Sequence, residues 1–412
     1  MMIFNNYYKK INNYDLLALL LYFSLILGFL LNENILGGSF ADYQAHKLIA
    51  KEFSQNFIQT LLSYDTKPTR HSPILLIIFS IFEKFQINDS VIRLINLHVL
   101  LLIIYFFWKC LKVKFKSIST NKVYFLSLII FLSPTFRSLT IWPDSRLYGL
   151  LFFIIAIFYF LKFLNCNEVK FKFKYAIFNS FFLCISSYFS PNFSFFVIFF
   201  IINFFIFFRL TKFIFLIILL NLSLSLPAIY YVFFLKIYFF LLSTSEVGMN
   251  VYNALNPANK IILISSIFLF HFLPFFFITK LNFKLRNFFI IVPIFFISIL
   301  FFDYDQSITG GGIFYKISNK LFSNNYFLYI VSFFGLFILS TISSINYKNF
   351  LLIILIFLNN PQLEIYHKYY DPMLLILFFT LFELNIIRAK LEKKILLFYC
   401  FYIAYFSIFF FR

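Results

Sequence analysis

An aspartate and a histidine lie four residues apart in the stretch GGSFADYQAHK, residues 37–47. Asp42 and His46 would share one face if this stretch is helical, because residues at i and i+4 are neighbours on a helix surface. An ionised carboxylate so placed can take a proton from a hydroxyl group, and the imidazole can orient it. We therefore predict that Asp42 is a catalytic base and that His46 contributes to substrate binding. The simpler alternatives are a helix N-terminal charge favoured by the dipole and a structural histidine.

Further charged, imidazole and aromatic side chains that could bind a substrate lie in three other segments. They are Arg70 and His71 in TRHSPILL, Arg137, Asp144 and Arg146 in FRSLTIWPDSRLYG, and His367, Lys368 and Tyr369 in YHKYYDP. Arg and Lys bind phosphate through charge-assisted hydrogen bonds, which Arg often makes in pairs. We expect these residues to bind a phosphate-bearing substrate. In the alternative interpretation the Arg137 side chain extends to the lipid headgroups, and Asp144 and Arg146 form a surface ion pair that contributes little to stability.

Apolar helices must position these residues. Of the 412 residues 62% are hydrophobic and 12% are charged, and the mean hydropathy is +0.89. Soluble domains have about a quarter charged residues. The composition therefore predicts an all-α, polytopic integral membrane protein with a single domain over residues 1–412. The sequence has about thirteen apolar segments, most of which approach the roughly 20 residues that cross a bilayer. They are 15–31, 93–109, 123–142, 147–163, 175–190, 192–208, 213–235, 261–279, 287–302, 327–345, 349–358, 372–387 and 395–411.

The segment 73–86 is too short for a span and predicts an amphipathic helix lying at the membrane interface. Ser72 is expected as its N-cap and Pro73 at its first helical position. It belongs to a long first outer loop, 32–92. Three further outer loops are predicted: 136–147, a mobile loop over 303–326, and a late loop over 359–372.

The charge distribution predicts which loops face the cytoplasm. The formal net charge is +19, but the basic residues recur in short clusters between apolar runs and form no single patch for nucleic acid. With the N-terminus inside, most of the 35 Lys and Arg residues fall in short inner loops and most of the 16 acidic residues fall outside. We therefore expect the chemistry at the outer face of the membrane.

The order of these segments resembles the GT-C superfamily of membrane glycosyltransferases. The resemblance rests on an acid soon after the first span, TRHSPILL, the span VIRLINLHVLLLIIYFFWKCLK, SPTFRSLTIWPDSRLYGLLFFIIAIFYFLKFL, and the late YHKYYDPMLLILFF. The layout is similar to that of protein mannosyltransferases and of the aminoarabinose transferases of lipid A. It implies transfer of a sugar from a polyprenyl-phosphate-linked donor to a hydroxyl of a glycan, lipid or protein, at the outer face of a bacterial cell membrane.

Two other functions fit the same sequence. A polysaccharide polymerase or ligase would also carry Arg and His in outer loops. A lipid or solute transporter would bury ionisable groups within its spans and often show inverted repeats. The predicted spans are almost free of acids, and His271 is the residue a transporter would claim. The acidic residues are scattered, so we expect metal-independent transfer with no cofactor.

Overall fold

The computed structural model describes residues 13–36, 38–67, 69, 72–233, 257–304, 310–360 and 364–410. Within these residues the chain is helical, and the single extended pairing is one antiparallel bridge between Thr279 and Ile386. The α-helices of this part of the chain are α1 (Asn13–Leu30), α2 (Ser39–Gln55), α3 (Phe57–Leu62), α4 (Ile74–Lys84), α5 (Asp89–Leu100), α6 (Leu102–Lys114), α7 (Thr120–Ser127), α8 (Pro134–Ile141), α9 (Ser145–Asn165), α10 (Val169–Phe189), α11 (Phe196–Phe208), α12 (Lys212–Phe233), α13 (Pro257–Phe272), α14 (Leu285–Leu300), α15 (Gly312–Phe322), α16 (Tyr326–Ser343), α17 (Tyr347–Leu358), α18 (Met373–Phe379) and α19 (Arg388–Phe410).

Several of these helices are long and apolar enough to cross a membrane. In the described residues seven meet this test by length and composition: Asn13–Leu30, Asp89–Lys114, Ser145–Asn165, Pro191–Phe208, Lys212–Tyr231, Pro257–Phe277 and Tyr326–Ser343. A bent pair of helices over 120–141 would be an eighth. The prediction of an all-helical membrane protein is confirmed, whereas the prediction of about thirteen spans is not.

The predicted span 123–142 is broken in its middle. Thr120–Leu132 and Pro134–Ile141 meet at an angle of 67°. Pro134 disfavours helical geometry at the preceding residue, and Ser133 is extended and caps α8 by accepting a hydrogen bond from the Phe136 amide at 3.0 Å. The break turns α8 into the body of the protein, where all eight of its residues are buried.

The predicted span 372–387 is wrong. Its helix, α18, has seven residues and ends at Phe379. Side chains from neighbouring helices form hydrogen bonds with the backbone that follows α18. Lys114 Nζ donates to the carbonyls of Thr380 and Phe382, and the Asn349 side chain accepts a hydrogen bond from the Glu383 amide. Irregular backbone is tolerated at membrane depth when protein side chains replace its helical hydrogen bonds.

Two predictions for the loops also need correction. Pro73, rather than Ser72, is the N-cap residue of α4. Residues 312–322 of the loop predicted over 303–326 form α15, and residues 305–309 lie outside the described part of the chain. Gly311 and Gly312 precede and open this helix with φ of +84° and +81°, a left-handed backbone that favours glycine.

The centre of the helical body is α9, which packs against α6 and α10. Phe153 and Phe160 on α9 are fully buried against aromatic rings from α11, as in the Phe160–Phe200 pair with centroids 5.0 Å apart. These aromatic contacts fix α9 firmly. Its first turn carries Arg146, so the same packing positions one of the predicted site residues.

Candidate functional site

A cavity of about 1330 Å³ opens between the C-terminal ends of α1 and α19 and the first turns of α2 and α15. Five charged side chains line it: Glu33, Asp42, Arg137, Lys316 and Lys368. Another part of its wall is apolar and is formed by Leu27, Leu31, Phe406 and Phe409. Because Leu27 on α1 and Leu31 just after it are 57% and 79% exposed, the apolar wall continues onto the outer surface of the helical body.

Asp42 meets two cations at the edge of this cavity. Its Oδ2 lies 3.3 Å from Lys368 Nζ and 4.0 Å from Arg146 Nη2. The Asp42 side chain is 39% exposed, whereas those of Lys368 and Arg146 are 15% and 13% exposed. The Asp42 carboxylate is therefore open to the cavity, whereas both cations are largely buried in the protein. The structure brings together three residues that the sequence placed in three separate loops.

Arg146 is fixed by Asp144 and Tyr369. Asp144 is the N-cap of α9 and accepts hydrogen bonds from the Arg146 amide at 2.7 Å, from Nε at 3.2 Å and from Nη2 at 3.0 Å. The guanidinium lies 4.8 Å above the centre of the Tyr369 ring. Asp144 is 1% exposed, so this is a buried pair and not the surface ion pair of the simpler interpretation. Arg146 Nη1 is buried and has no hydrogen-bond partner among the described residues.

Lys368 and His367 come from the 3-10 helix His367–Tyr369. Burial lowers the pKa of Lys368, and Arg146 lowers it further, while Asp42 and Asp144 oppose the shift. His367 lines the cavity, and its ring is 4.8 Å from that of His271. Burial lowers the pKa of His367 well below its usual value, with smaller contributions from His271 and Lys316. A neutral imidazole beside a lysine can donate one hydrogen bond and accept another.

His46 lies one turn after Asp42 on α2, as the i and i+4 spacing predicts, because residues 39–55 are helical. It is 3% exposed, and burial lowers its pKa, although Asp144 and Asp42 oppose this effect. His46 does not line the cavity. The buried ring of His46 packs α2 against the body of the protein behind Asp42. It is not placed to contact a substrate in the cavity.

Arg137 is held by Glu33. Arg137 Nε and Nη2 donate to the two carboxylate oxygens of Glu33 at 3.0 and 2.7 Å, and Nη1 donates to Ser24 Oγ at 3.1 Å. Gly28 makes room for this pair, because a Cβ there would overlap Glu33 Oε2 and lie 3.0 Å from Arg137 Nη2. The predicted phosphate-binding role of Arg137 stays a prediction, and its charge is already compensated by Glu33.

Several residues near the cavity were not predicted. Lys316 and Tyr405 line it, and buried Asp371 lies directly behind its wall. Asp371 Oδ2 accepts hydrogen bonds from Ser133 Oγ at 2.7 Å, from the Thr135 amide at 3.2 Å and from Tyr405 Oη at 3.2 Å. Burial raises the pKa of Asp371 to about 6 despite these bonds. An acid directly before Pro372 and the apolar run that follows was the available sequence signal for it.

Two of the predicted site residues cannot be placed relative to the cavity. Arg70 and His71 lie outside the described residues. No group of three or more His, Cys, Asp or Glu side chains with metal-binding geometry occurs in the part of the chain that the structure describes. The expectation of metal-independent transfer stays a prediction.

The chain matches no protein-family model, and no curated protein or solved structure matches it either. Function is therefore inferred from the geometry of the cavity and from the residues that line it.

Proposed function

We propose that this protein transfers a sugar from a polyprenyl-phosphate-linked donor to an acceptor hydroxyl. The observation that carries the proposal is the position of Asp42. Its exposed carboxylate faces Lys368 and Arg146 at the edge of a cavity of about 1330 Å³ that has both a charged and an apolar wall. Such a cavity suits a substrate with a sugar, a phosphate and a hydrocarbon chain.

Asp42 is the proposed base. Attack on the anomeric carbon requires removal of the acceptor hydroxyl proton, and a carboxylate within hydrogen-bond reach can take it. The place of Asp42 in the first turn of α2 holds the carboxylate on a helix instead of on a long loop. The buried His46 one turn later anchors that helix.

Lys368 and Arg146 are the proposed phosphate ligands. The phosphate gains negative charge as its bond to the sugar breaks, so cations fixed beside it stabilise the transition state. Arg146 offers the buried Nη1, which has no hydrogen-bond partner among the described residues. Lys368 lines both the main cavity and a small adjoining cavity of about 30 Å³ that Arg146 also lines. A phosphate between the two side chains would be reached by both.

The apolar wall is the proposed path of the donor's hydrocarbon chain. The wall extends from the cavity toward the surface of the helical body and is formed by Leu27 on α1, Leu31 just after it, and Phe406 and Phe409 on α19. A lipid-linked donor in the bilayer can approach between these helices without leaving the hydrocarbon.

The proposed orientation places the site at the outer face of a bacterial cell membrane. Helix α9 begins beside the site at Ser145 and ends after 21 residues at Asn165, so it is about 31 Å long and reaches the opposite face. Residues 162–174 at and beyond that end contain four lysines. The positive-inside rule assigns that face to the cytoplasm.

The test compares the glycans and lipids of cells that lack the gene and express either the wild type, Asp42→Asn or Glu52→Gln at matched membrane abundance. Glu52 is the matched control because it is an acid on the same helix that is paired with Lys67 and does not line the cavity. Mass spectrometry should find a product short of one sugar with the empty vector and with Asp42→Asn, and a complete product with the wild type and Glu52→Gln.

Other outcomes would contradict the proposal. Full rescue by Asp42→Asn would remove Asp42 from the mechanism. Unchanged sugar composition with altered chain length would favour a polymerase or ligase. Accumulation of a complete product on the wrong side of the membrane would favour a transporter.

A further inference from the structure

A second cavity lies at the other end of α9. It has a volume of about 720 Å³ and is lined by one side of α6, by Lys116 just beyond α6, by the C-terminal half of α9 with Cys166, and by Tyr175 of α10. Because α9 is about 31 Å long, this cavity and the Asp42 site belong to opposite faces of the protein. The lysine cavity, as we call it, is therefore separate from the proposed transfer site.

The charge in the lysine cavity has one sign. Lys109, Lys112, Lys116 and Lys162 line it, and no acidic side chain does so among the described residues. Helices α6 and α9 end near this cavity, and the partial negative charge of each C-terminus compensates the charge of about one lysine at most. Four lysines around one concave space leave an excess of positive charge that a bound anion would compensate.

The walls of the same cavity are aromatic. Tyr105, Phe106, Phe158 and Tyr175 line it together with the lysines. Lys109 Nζ lies 5.1 Å from the centre of the Tyr105 ring and Lys162 Nζ lies 5.6 Å from that of Phe158. The surrounding surface is apolar and open, since Leu102, Tyr105 and Leu164 are 44%, 46% and 42% exposed. A soluble anion would gain nothing from such walls, whereas a lipid would place its glycerol and upper acyl chains against them.

We propose that the lysine cavity binds the headgroup of an anionic glycerophospholipid from the inner leaflet. The phosphate lies among the four lysines, and the acyl chains follow the exposed apolar surface of α6 and α9. Basic pockets between spans at the cytoplasmic side of a membrane are suited to such headgroups. The proposal does not depend on the activity at the opposite face.

The experiment is native mass spectrometry of the detergent-purified full chain titrated with dioleoyl phosphatidylglycerol, dioleoyl phosphatidylcholine or glycerol 3-phosphate. The wild type should retain phosphatidylglycerol and neither of the other two. The double variant Lys109→Gln with Lys162→Gln should bind phosphatidylglycerol roughly tenfold more weakly, because each lysine near an anionic lipid contributes about a fivefold effect at most. Lys109→Arg with Lys162→Arg should bind it as the wild type does.

The control is Lys280→Gln with Lys284→Gln, which removes the same charge from exposed lysines outside the cavity. Equal weakening in this control would show a general charge effect and overturn the site. Unchanged binding in the cavity variant, or equal retention of phosphatidylcholine, would overturn it as well. Binding of glycerol 3-phosphate with similar affinity would overturn the assignment to a lipid. If the cavity variant is not monodisperse, Lys112→Gln with Lys116→Gln, whose side chains are exposed, takes its place under the same criteria.

Discussion

Asp42 and Lys368 are 326 positions apart in the chain, and their side chains meet at 3.3 Å. The contact joins α2, near the start of the chain, to the 3-10 helix before α18, near its end. Arg146 lies on the other side of Asp42 Oδ2, at 4.0 Å. Asp42 thus contacts two cations that come from later segments of the chain. The role of each cation can be tested by its own substitution.

Replacing Lys368 should abolish most of the proposed transfer. We expect Lys368→Met to reduce the amount of completed product by about 10²- to 10³-fold, which is typical of losing one preorganised charge at a developing anion. Lys368→Arg, which keeps the charge, should retain part of the activity. The measurement is the product level by mass spectrometry at matched membrane abundance. Lys47→Met is the control, since Lys47 is paired with Asp89 outside the cavity, and an equal loss in that variant would contradict a specific role for Lys368.

Arg146 should not tolerate the conservative change to lysine. Arg146→Lys keeps the positive charge but loses the paired hydrogen bonds to Asp144 and the stacking on Tyr369. We expect a drop of roughly tenfold or more in product, since misplacing a reacting group has effects of this size or larger. Arg388→Lys, at an exposed arginine bound to Ser117, serves as the comparison. Product at the wild-type level in Arg146→Lys would show that charge alone suffices.

Gly28 should contribute to stability by leaving room for the Glu33–Arg137 pair. Gly28→Ala places a Cβ against Glu33 Oε2 and Arg137 Nη2, so we expect a loss of about 1–3 kcal/mol in the free energy of unfolding. Gly38→Ala is a matched control because nothing lies within 4 Å of its Cβ position, and there we expect a change of a few tenths of a kcal/mol. Thermal unfolding in detergent measures both, and equal melting temperatures for the two variants would refute the steric argument.

Asp371 should make stability depend on pH. Its pKa in the folded protein is raised to about 6 by burial, so the folded state favours the protonated acid. This contribution to stability is fully present below the unfolded value of about 3.9 and is lost as the pH rises through 6, by roughly 3 kcal/mol in total. Asp371→Asn cannot titrate and should flatten this part of the profile. Melting temperatures between pH 4 and 7.5 test this, and parallel profiles for the two proteins would exclude Asp371 as the cause.

The sequence predicted well where local rules decide the outcome. Residues 39–55 form the helix on which the spacing of Asp42 and His46 places the two side chains on one face. The spans of α1 and α9 lie within two residues of their predicted bounds. In each case the determining residues are neighbours in the chain.

The errors occur where distant parts of the chain meet. The unwound backbone after Phe379 depends on Lys114 and Asn349, which no local pattern connects to it. Glu33 lies in the predicted first outer loop, and the sequence does not show that it pairs with Arg137, 104 positions away. That pairing determines whether the charge of Arg137 is available to a substrate. Asp371 was not predicted as a site residue, and only its contacts with α8 and α19 reveal that it is a buried acid.

The Asp42 cluster also has a consequence for charge balance through the proposed reaction. Two carboxylates, Asp42 and Asp144, face two cations, Arg146 and Lys368, so the group is electroneutral at rest. In the proposed transfer the phosphodiester donor leaves as a monoester with one more negative charge, while Asp42 gains one proton. The total charge of these side chains and the phosphate then stays constant from substrate to product, so the proposed step requires no counterion to enter or leave the site. The proposed base and the proposed phosphate ligands would then act as one electrostatic unit, which would account for the position of one exposed acid between two cations.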